Sequence, residues 1–323
     1  MQDPPAQAGR EPLDVAAVVR AGFWHTVESA AQTGSTNADL LLRAQDGAAE
    51  GLVLVAEEQT AGRGRRGRAW VSPPHAALMF SLLLRPAPVP PARWGWLPLL
   101  TGVAVVTTIR EVSGVNATLK WPNDVLAVTV PGNPSSAAGK LAGILAEAAE
   151  GVVVVGIGLN VSTVPEEFPP PGPGALPATS LFAAGAAVLG RERLLSGILA
   201  AFEQRYLAWR DGRGDPAAIR AEYLGLCGTL GRQVRVELPG GQVLSGEAVD
   251  VDPDGRLVVR SSESEAAVAA GDVVHVRLPG AHASTAARQA AGTAGTRYRR
   301  SKSAVSGGTT RIVTANIQGR PDR

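Results

Sequence analysis

The chain has 323 residues, of which 45% are hydrophobic, so it is long enough for one large or two modest domains, and global disorder is excluded. No uninterrupted apolar stretch approaches the roughly 20 residues that a membrane span needs, and the first residues lack the apolar core of a signal peptide. The single cysteine, Cys227, excludes an internal disulfide framework, and the four histidines share no zinc-ligand spacing. These features predict a cytoplasmic protein that does not contact membranes.

The net charge of +2 hides an asymmetry along the chain. Residues 281–323 carry eight basic residues and one acid, which makes this segment +7 and leaves −5 for residues 1–280. The predicted folded part is therefore mildly acidic. The basic character of the chain lies in its last segment and is poor evidence for a nucleic-acid-binding fold.

The first predicted elements surround an arginine-rich run. Residues 1–13 contain three prolines and little apolar periodicity, so they are predicted to form a flexible extension. Residues 14–31 have enough pattern for a short helix and a strand, and residues 33–44 ("TGSTNADLLLRA") start a helix that Ser35 or Thr36 can cap. Two strands, at residues 51–58 and 76–86, flank the run "GRGRRGR" at residues 62–68.

A buried helix and further strands follow. The helix at residues 96–112 is almost wholly apolar, and residues 117–130 ("ATLKWPNDVLAVTV") predict a strand broken at Pro122. The runs "GKLAGILAEA" and "GVVVVGIGLNV", at residues 139–148 and 151–161, predict two more strands. Turn-rich loops are expected at residues 131–139 and 164–177, and an amphipathic helix is expected at residues 191–210.

The sequence changes in character after Cys227. Residues 228–279 hold short strand patterns separated by Gly-Gly and Asp-Gly turns, which predict a small β-barrel. Residues 280–323 are mainly Ala, Gly, Ser, Thr and Arg with few large apolar residues, so a disordered basic tail is predicted. The chain is thus divided into the extension, a domain at residues 14–227, the barrel and the tail.

The run at residues 62–68 contains four arginines and three glycines. Glycine allows close backbone approach, and backbone N–H groups and guanidinium groups bind phosphate or carboxylate oxygens, so the run is a candidate anion-binding loop. A solvated basic loop has equal weight from this stretch alone, since runs of like charge are usually solvated. Nucleic acid is a weaker alternative, because there is one basic patch and only Trp70 as an adjacent aromatic residue.

Three shorter motifs place polar residues beside the predicted strands. Pro122 holds the preceding residue extended, so Asn123 and Asp124 could present an amide and a carboxylate to Mg²⁺ or a ribose, although an Asx-type turn is favoured in isolation. Lys140 starts a strand and could contact an anion, although a solvent-facing lysine is commoner. The run "GIGLN" ends a strand with two glycines and Asn160, which suits either a close ligand or a tight turn.

The motifs "GSTN", "EEQTAGRGRRGRAW", "LKWPNDV", "GKLAGILAE" and "GIGLNV" occur in this order ahead of the predicted barrel. As a set they strongly resemble a biotin protein ligase, and the likeness runs from about residue 24 to residue 278. The resemblance implies an α+β fold. It implies a mixed-sheet, biotin/lipoate ligase-like catalytic domain at residues 14–227 and an SH3-like β-barrel at residues 228–279.

The resemblance also implies an activity. Family members activate biotin with ATP and Mg²⁺ to biotinyl-5′-AMP and then transfer biotin to one lysine of a carrier domain. The expected partner is the biotin carboxyl carrier domain of acetyl-CoA, acyl-CoA or pyruvate carboxylase, and the expected state is a monomer or weak dimer that binds no specific DNA. Only about 25 residues precede the motifs, so no winged helix-turn-helix of the kind that repressor members carry is expected.

A set of site residues follows from the same resemblance. Lys140 and Arg65 are the expected catalytic residues, and Asp124 is the expected Mg²⁺ ligand. The residues expected to bind biotin are Ser35, Thr36, Asn37, Gln59, Arg63, Gly64, Arg65, Lys140, Gly156 and Gly158. The residues expected to bind ATP are Arg63, Arg65, Arg68, Trp70, Asn123, Asp124, Lys140 and Asn160.

Two alternatives stand beside the ligase. A lipoate ligase or an octanoyltransferase would belong to the same superfamily, but the motifs "GRGRRGRAW" and "KWPND" argue against both. A nucleic-acid-binding protein would use the arginine-rich loop and the tail, and nucleic-acid affinity that survives deletion of the tail would support it. The loop at residues 164–177 falls where the family places an adenine-side loop but does not match it residue by residue. The loop at residues 131–139 resembles an extended hairpin tip, and its effect on the site is left open.

Overall fold

The computed structural model describes residues 10–18, 22–128, 139–171, 176–238, 241–262, 264–269 and 272–275. The chain divides into two compact units, which we name the large unit (Met1–Gly228 with Pro253–Gly255) and the small unit (Thr229–Asp252 with Arg256–Arg323). The predicted tail lies outside the described residues, as do residues 1–9 of the predicted extension and residues 131–138 and 172–175 of the two predicted loops.

A seven-stranded mixed sheet forms the core of the large unit. Its strand order is β1-β2-β3-β7-β6-β5-β4, in which β1 and β2 are parallel and the other neighbouring pairs are antiparallel. The strands are β1 (Thr26–Ala30), β2 (Leu52–Ala56), β3 (Ala77–Leu84), β4 (Ala117–Lys120), β5 (Asp124–Ala127), β6 (Gly139–Ala149) and β7 (Val152–Asn160). The sheet confirms the predicted α+β fold with a mixed sheet.

The central strands are apolar runs whose burial follows from their sequence. Every residue of β2 and β3 is buried, and β3 pairs with β7 along its whole length. An apolar run without polar alternation is typical of a strand that is covered on both faces. The motifs of interest lie where these strands begin and end, so the packed sheet holds their backbones in place.

The described residues of the large unit form four α-helices: α1 (Thr36–Gln45), α2 (Trp96–Thr108), α3 (Arg191–Asp211) and α4 (Ala217–Leu226). The predicted helices at residues 96–112 and 191–210 are confirmed, and α2 is buried on nearly every side. The short helix expected within residues 14–31 does not form in the described part of that segment, where residues 15–18 make turns and bends. Within the part of the chain that the structure describes, every helix is too short or too polar to span a membrane.

The small unit is a five-stranded antiparallel sheet in the order β11-β10-β9-β8-β12. Its strands are β8 (Gln233–Glu237), β9 (Val243–Val251), β10 (Leu257–Arg260), β11 (Glu265–Val268) and β12 (Asp272–His275). In β8, buried Val234 and Val236 alternate with exposed Gln233 and Arg235, which is the pattern of a strand with one face on a core. The short strands predicted after Cys227 are confirmed.

Part of the predicted flexible extension makes defined contacts with the large unit. Arg10 forms a two-pronged ion pair with Glu167, with nitrogen–oxygen distances of 2.9 and 2.7 Å, and it also donates to the backbone carbonyl of Ser162. The side chain of Leu13 is buried. Burial of a leucine and a bidentate arginine–carboxylate pair both favour one position of the segment, so residues 10–13 differ from the expectation.

A buried ion pair anchors the same segment from inside. Arg191, at the start of α3, lies 2.5 Å from Glu57, and their side chains are 6% and 5% exposed. The backbone N–H of Leu13 and the ring of His75 also contact Glu57. Burial alone would raise the pKa of Glu57, but the hydrogen bonds and the charge of Arg191 outweigh burial, so the pKa lies below its ordinary value.

Replacing Arg191 with methionine is expected to lower the free energy of unfolding by about 3–5 kcal/mol, because the Glu57 carboxylate would stay buried without its cation. Urea denaturation at neutral pH measures the change. Arg193→Met is the matched control, since Arg193 lies on the same helix but is exposed, and it should change stability by at most about 0.5 kcal/mol. Equal effects of the two changes would contradict the prediction.

The same ion pair predicts a pH dependence. The stabilisation from Glu57 is complete above its ordinary pKa of 4.5 and is lost as the pH falls through its lowered folded-state pKa. The Arg191→Met protein should therefore lose less stability than the parent over this acidic range.

Candidate active site

A group of buried and half-buried polar side chains lies where α1 begins. We name it the polar cluster; it consists of Ser35, Thr36, Asn37, Gln59, Ser81 and Glu147. The backbone N–H of Thr36 donates to Gln59 Oε1 (2.9 Å), and Ser81 Oγ lies 2.6 Å from both Thr36 Oγ1 and Asn37 Oδ1. Ser35 is the N-cap residue of α1, as predicted, but its side chain makes no capping hydrogen bond, and Gln59 accepts the free N–H of Thr36 instead.

Asn37 joins the polar cluster to the sheet. Its amide nitrogen donates to the Leu145 carbonyl (3.2 Å) and to Glu147 Oε2 (2.7 Å), both on β6. A Cβ added at Gly156 on β7 would overlap Asn37 Oδ1, so only glycine lets the amide lie there. Sequence reasoning expected a ligand to lie against Gly156; in the structure the Asn37 side chain takes that place.

A second group, which we name the charged cluster, consists of Lys120, Asp124 and Lys140. Lys140 Nζ lies 2.7 Å from Asp124 Oδ1, and Lys120 Nζ lies 3.4 Å from Asp124 Oδ2. Burial alone would raise the pKa of Asp124, but the charges of the two lysines outweigh burial, so the pKa lies below its usual range. The carboxylate is therefore ionised, and the cluster carries one net positive charge.

The charged cluster contains one carboxylate. Among the described residues, no group of three or more His, Cys, Asp and Glu side chains is placed to hold a metal ion. A Mg²⁺ ion that accompanies nucleotide phosphates needs only one or two protein carboxylates, and Asp124 fits that modest requirement. Both of its oxygens are engaged by lysines, so a cation would have to share or replace these contacts.

Trp70 lies against one face of strands β6 and β7, which we name the β6–β7 floor. A Cβ added at Gly158 would overlap the indole ring, and one added at Gly143 would come within 3.2 Å of it. Lys140 Nζ is 5.8 Å from the ring centroid, which is within the range of a cation–π contact. The indole Nε1 is buried without a hydrogen-bond partner among the described residues. Gly158 thus makes room for Trp70, where sequence reasoning expected room for a ligand.

The arginine loop (residues 62–70) folds back on itself as a narrow hairpin. Trp70 N donates to Gly62 O (2.9 Å), and Gly64 N donates to Arg68 O (2.6 Å). Arg66 and Gly67 close the turn with φ of 56° and 72°, a left-handed conformation that glycine adopts without strain. The loop is therefore defined by its own backbone, and the side chains of Arg63 and Arg68 are exposed around it.

Arg65 links the loop to the turn between β4 and β5. Its Nη1 donates to Asn123 Oδ1 at 3.1 Å, while Asn123 Nδ2 donates to the Ile144 carbonyl on β6 at 3.0 Å. The turn begins with the cis peptide bond between Trp121 and Pro122. The Asn123 side chain thus connects three segments of the large unit, which goes beyond a local Asx-type turn.

Asn160 supports the backbone around Lys140. Its amide nitrogen donates to the Thr179 carbonyl (3.0 Å) and to the Lys140 carbonyl (3.4 Å), and the side chain is buried. The backbone N–H of Lys140 donates to Pro177 O (2.9 Å), and the Thr179 N–H donates to Lys140 O (3.0 Å). The strand end that carries Lys140 is thereby held on both sides.

The structure brings most of the expected site residues together. The polar cluster contains four of them, Ser35, Thr36, Asn37 and Gln59, and Gly156 lies beside it under the Asn37 amide. At or beside the charged cluster are Arg65, Trp70, Asn123, Asp124, Lys140, Gly158 and Asn160. The arginine loop contains the remaining three expected site residues, Arg63, Gly64 and Arg68. Sequence reasoning missed Lys120, Ser81, Glu147 and Gly143. Lys120 could have been recognised from the sequence, because it starts the KWPND run and lies four residues before Asp124.

Family comparisons agree with this geometry. The model of the Biotin/lipoate A/B protein ligase family matches residues 29–163, and the model of the Biotin protein ligase C terminal domain matches residues 229–276. A solved structure, the biotin protein ligase from Aquifex aeolicus in complex with biotin and ATP, has a TM-score of 0.62 and 24% sequence identity. That likeness covers 79% of this chain and 100% of that chain, and it supports the fold.

Relatives of higher identity cover most of the chain. The biotin–[acetyl-CoA-carboxylase] ligase of Mycobacterium tuberculosis is 46% identical over 258 residues, which cover 79% of this chain and 90% of the relative. The bifunctional ligase/repressor BirA of Bacillus subtilis is 33% identical over 231 residues, which cover 71% of this chain and 68% of the relative. With both family models matched and this degree of identity, the chain belongs to the biotin protein ligases of the biotin/lipoate A/B protein ligase family.

Proposed function

We propose that the chain activates biotin with ATP to biotinyl-5′-AMP and then transfers biotin to a lysine of a biotin carboxyl carrier domain. The observation that carries the proposal is the pairing of a polar cluster with a charged cluster across the β6–β7 floor. Both reactants of the first step are anions, so a site with net positive charge is needed to bring them together. The identity to a biotin–[acetyl-CoA-carboxylase] ligase supports the same reaction.

The first step joins two negatively charged groups. A carboxylate oxygen of biotin attacks the α-phosphorus of ATP, the bond to the β-phosphate oxygen breaks, and pyrophosphate leaves. Lys140 and Arg65 would stabilise the charge on the α-phosphate; in support of this role, Lys140 contacts Asp124 in the charged cluster and Arg65 contacts the adjacent Asn123. In the second step a neutral lysine amine of the carrier attacks the acyl carbon, and AMP leaves.

The polar cluster favours biotin over a purely aliphatic acid. Its hydroxyl groups and the Asn37 amide are buried and the Gln59 amide is half-buried, and such groups can exchange hydrogen bonds with the ureido ring of biotin. A lipoyl or octanoyl chain would leave such groups without partners, which costs binding free energy. The lipoate ligase and octanoyltransferase alternatives are therefore not favoured. The nucleic-acid alternative is not favoured either, because Arg65 is engaged inside the large unit.

Mg²⁺ is part of the proposal. When bound, the ion would neutralise phosphate charge, and Asp124 would hold it together with phosphate oxygens. Lys120 and Lys140 keep Asp124 ionised, which is the state that a cation requires.

The partner and the cellular setting are also proposed. The proposed carrier is the biotin carboxyl carrier domain of acetyl-CoA, acyl-CoA or pyruvate carboxylase. The proposed enzyme is a cytoplasmic monomer or weak dimer that binds no specific DNA.

A pyrophosphate exchange assay tests the proposal. Exchange of labelled pyrophosphate into ATP should require biotin and should not occur with lipoate or octanoate. Transfer is then followed as biotin incorporation into a purified carrier domain, with a carrier whose target lysine is replaced by arginine as the control. Exchange that depends on lipoate or octanoate would assign the chain to another activity of the superfamily.

A further inference from the structure

We propose that Ser81 is a positioning residue that fixes the direction of the hydrogen bonds in the polar cluster and so helps the site to select the ureido ring of biotin. The inference rests on the proposed function. Ser81 interrupts the apolar run "ALMFSLLL" of β3, and its side chain is 0% exposed. A hydroxyl group in such a place costs stability unless it is hydrogen-bonded, so its partners are informative.

The chemistry of the partners sets the direction of each bond. Asn37 Nδ2 donates to Leu145 O and Glu147 Oε2, so Oδ1 is the amide atom that faces Ser81. A carbonyl oxygen only accepts, so the Ser81 hydroxyl proton points to Asn37 Oδ1. Thr36 Oγ1 lies 2.6 Å from Ser81 Oγ and must then donate its own proton to it.

These hydrogen-bond directions determine what Thr36 and Gln59 can offer to a ligand. The Thr36 hydroxyl has used its proton and retains acceptor capacity only. Gln59 Oε1 already accepts the Thr36 backbone N–H. Among the residues that the structure describes, Gln59 Nε2 faces only the weak acceptor Met79 Sδ at 3.5 Å, so it retains donor capacity. An acceptor at Thr36 and a donor at Gln59 match the N–H and carbonyl groups of a ureido ring.

Without Ser81 the pattern would no longer be fixed. The Thr36 hydroxyl proton would lose Ser81 as its acceptor and could turn toward the ligand, where it would face the ureido N–H instead of accepting from it, and Asn37 Oδ1 would lose its donor. Ser81 itself need not touch the ligand. The expected loss therefore concerns biotin affinity and the choice between biotin and analogues, while the nucleotide side of the site is spared.

The test compares Ser81→Val with Ser81→Thr. These side chains have the same shape and differ in the hydroxyl group, so any strain from the added bulk is shared. In pyrophosphate exchange, the KM for biotin should be about tenfold higher for Ser81→Val than for Ser81→Thr, while the KM for ATP and kcat differ by less than about twofold. Thermal melting shows that both proteins are folded, and Ser81→Ala repeats the comparison if the larger side chains prevent folding.

A second measurement tests the direction of the hydrogen bonds directly. Biotin methylated at a ureido nitrogen lacks an N–H donor of the kind that Thr36 is argued to accept, so the preference of the parent for biotin over this analogue should fall several-fold in Ser81→Val. Ser113→Ala is the control for losing a buried serine, because the Ser113 hydroxyl donates to the Ile109 carbonyl of its own helix end.

The outcomes distinguish failure of the positioning role of Ser81 from failure of the proposed function. If the parent supports biotin-dependent exchange but Ser81→Val and Ser81→Thr have equal biotin KM and equal preference, the positioning role is wrong. If Ser81→Val raised the KM for biotin and the KM for ATP equally, the whole site would be disturbed, and the positioning role would be wrong as well. If the parent shows no biotin-dependent exchange, the proposed function fails, and the inference fails with it.

Discussion

Replacing Lys140 with alanine is expected to lower biotin-dependent pyrophosphate exchange by about 10²- to 10³-fold, because the change removes a preorganised cation from the α-phosphate. Lys140 is the second residue of β6, and its backbone is fixed by hydrogen bonds with Pro177, Thr179 and Asn160, so the position of the charge is restricted. Its side chain is 28% exposed, and Asp124 keeps Lys120 as a partner, so the fold should persist.

The measurement is exchange at saturating biotin and ATP, together with the melting temperature of the variant. Lys140→Arg is the matched control, since it keeps the positive charge and should recover part of the lost rate. Near-normal exchange in Lys140→Ala with an unchanged melting temperature would assign the charge role to another residue.

Replacing Arg65 with glycine is expected to release biotinyl-5′-AMP from the enzyme about tenfold faster while leaving part of its formation intact. The change removes the contact with Asn123 that joins the arginine loop to the β4–β5 turn, and it adds another flexible residue to a loop that is costly to order. Lys140 remains in place, so activation continues. Free adenylate would then label lysines on unrelated proteins.

The dissociation rate of the adenylate and biotin incorporation into albumin measure this leak. Arg66→Gly is the matched control: it removes an arginine from the same loop, but at a residue with φ of 56°, where glycine is conformationally at ease. That variant should retain its adenylate nearly as the parent does. If Arg65→Gly also retains it and labels no albumin, Arg65 does not latch the loop.

Local patterns were sufficient to predict much of the fold. Apolar runs identified β2, β3 and β7, and the spacing of Leu194, Ile198 and Phe202 identified α3. Helix α4 was missed because it is short and buries few residues, chiefly Ile219 and Tyr223. The prediction was therefore good where a long element carries its own periodicity and poor where tertiary contacts stabilise a short one.

The candidate site was predictable as a set of residues and only partly as an arrangement. The glycines of β7 indicated close approach, but the sequence could not show that Asn37 and Trp70 are what approach them. Ser81 was indistinguishable from a small residue in an apolar strand, since its partners lie 45 and 44 positions earlier in the chain. Contacts between distant segments depend on the folded sheet, and no local pattern encodes them.

The position of Trp70 gives the arginine loop an optical label. Indole emission shifts with the polarity around the ring, and this ring lies against the β6–β7 floor beside the ammonium group of Lys140. The chain has six tryptophans, and the structure buries four of the others, namely Trp24, Trp96, Trp121 and Trp209. With the other five replaced by phenylalanine, a change in emission would report directly on the loop leaving the floor, in solution and in real time.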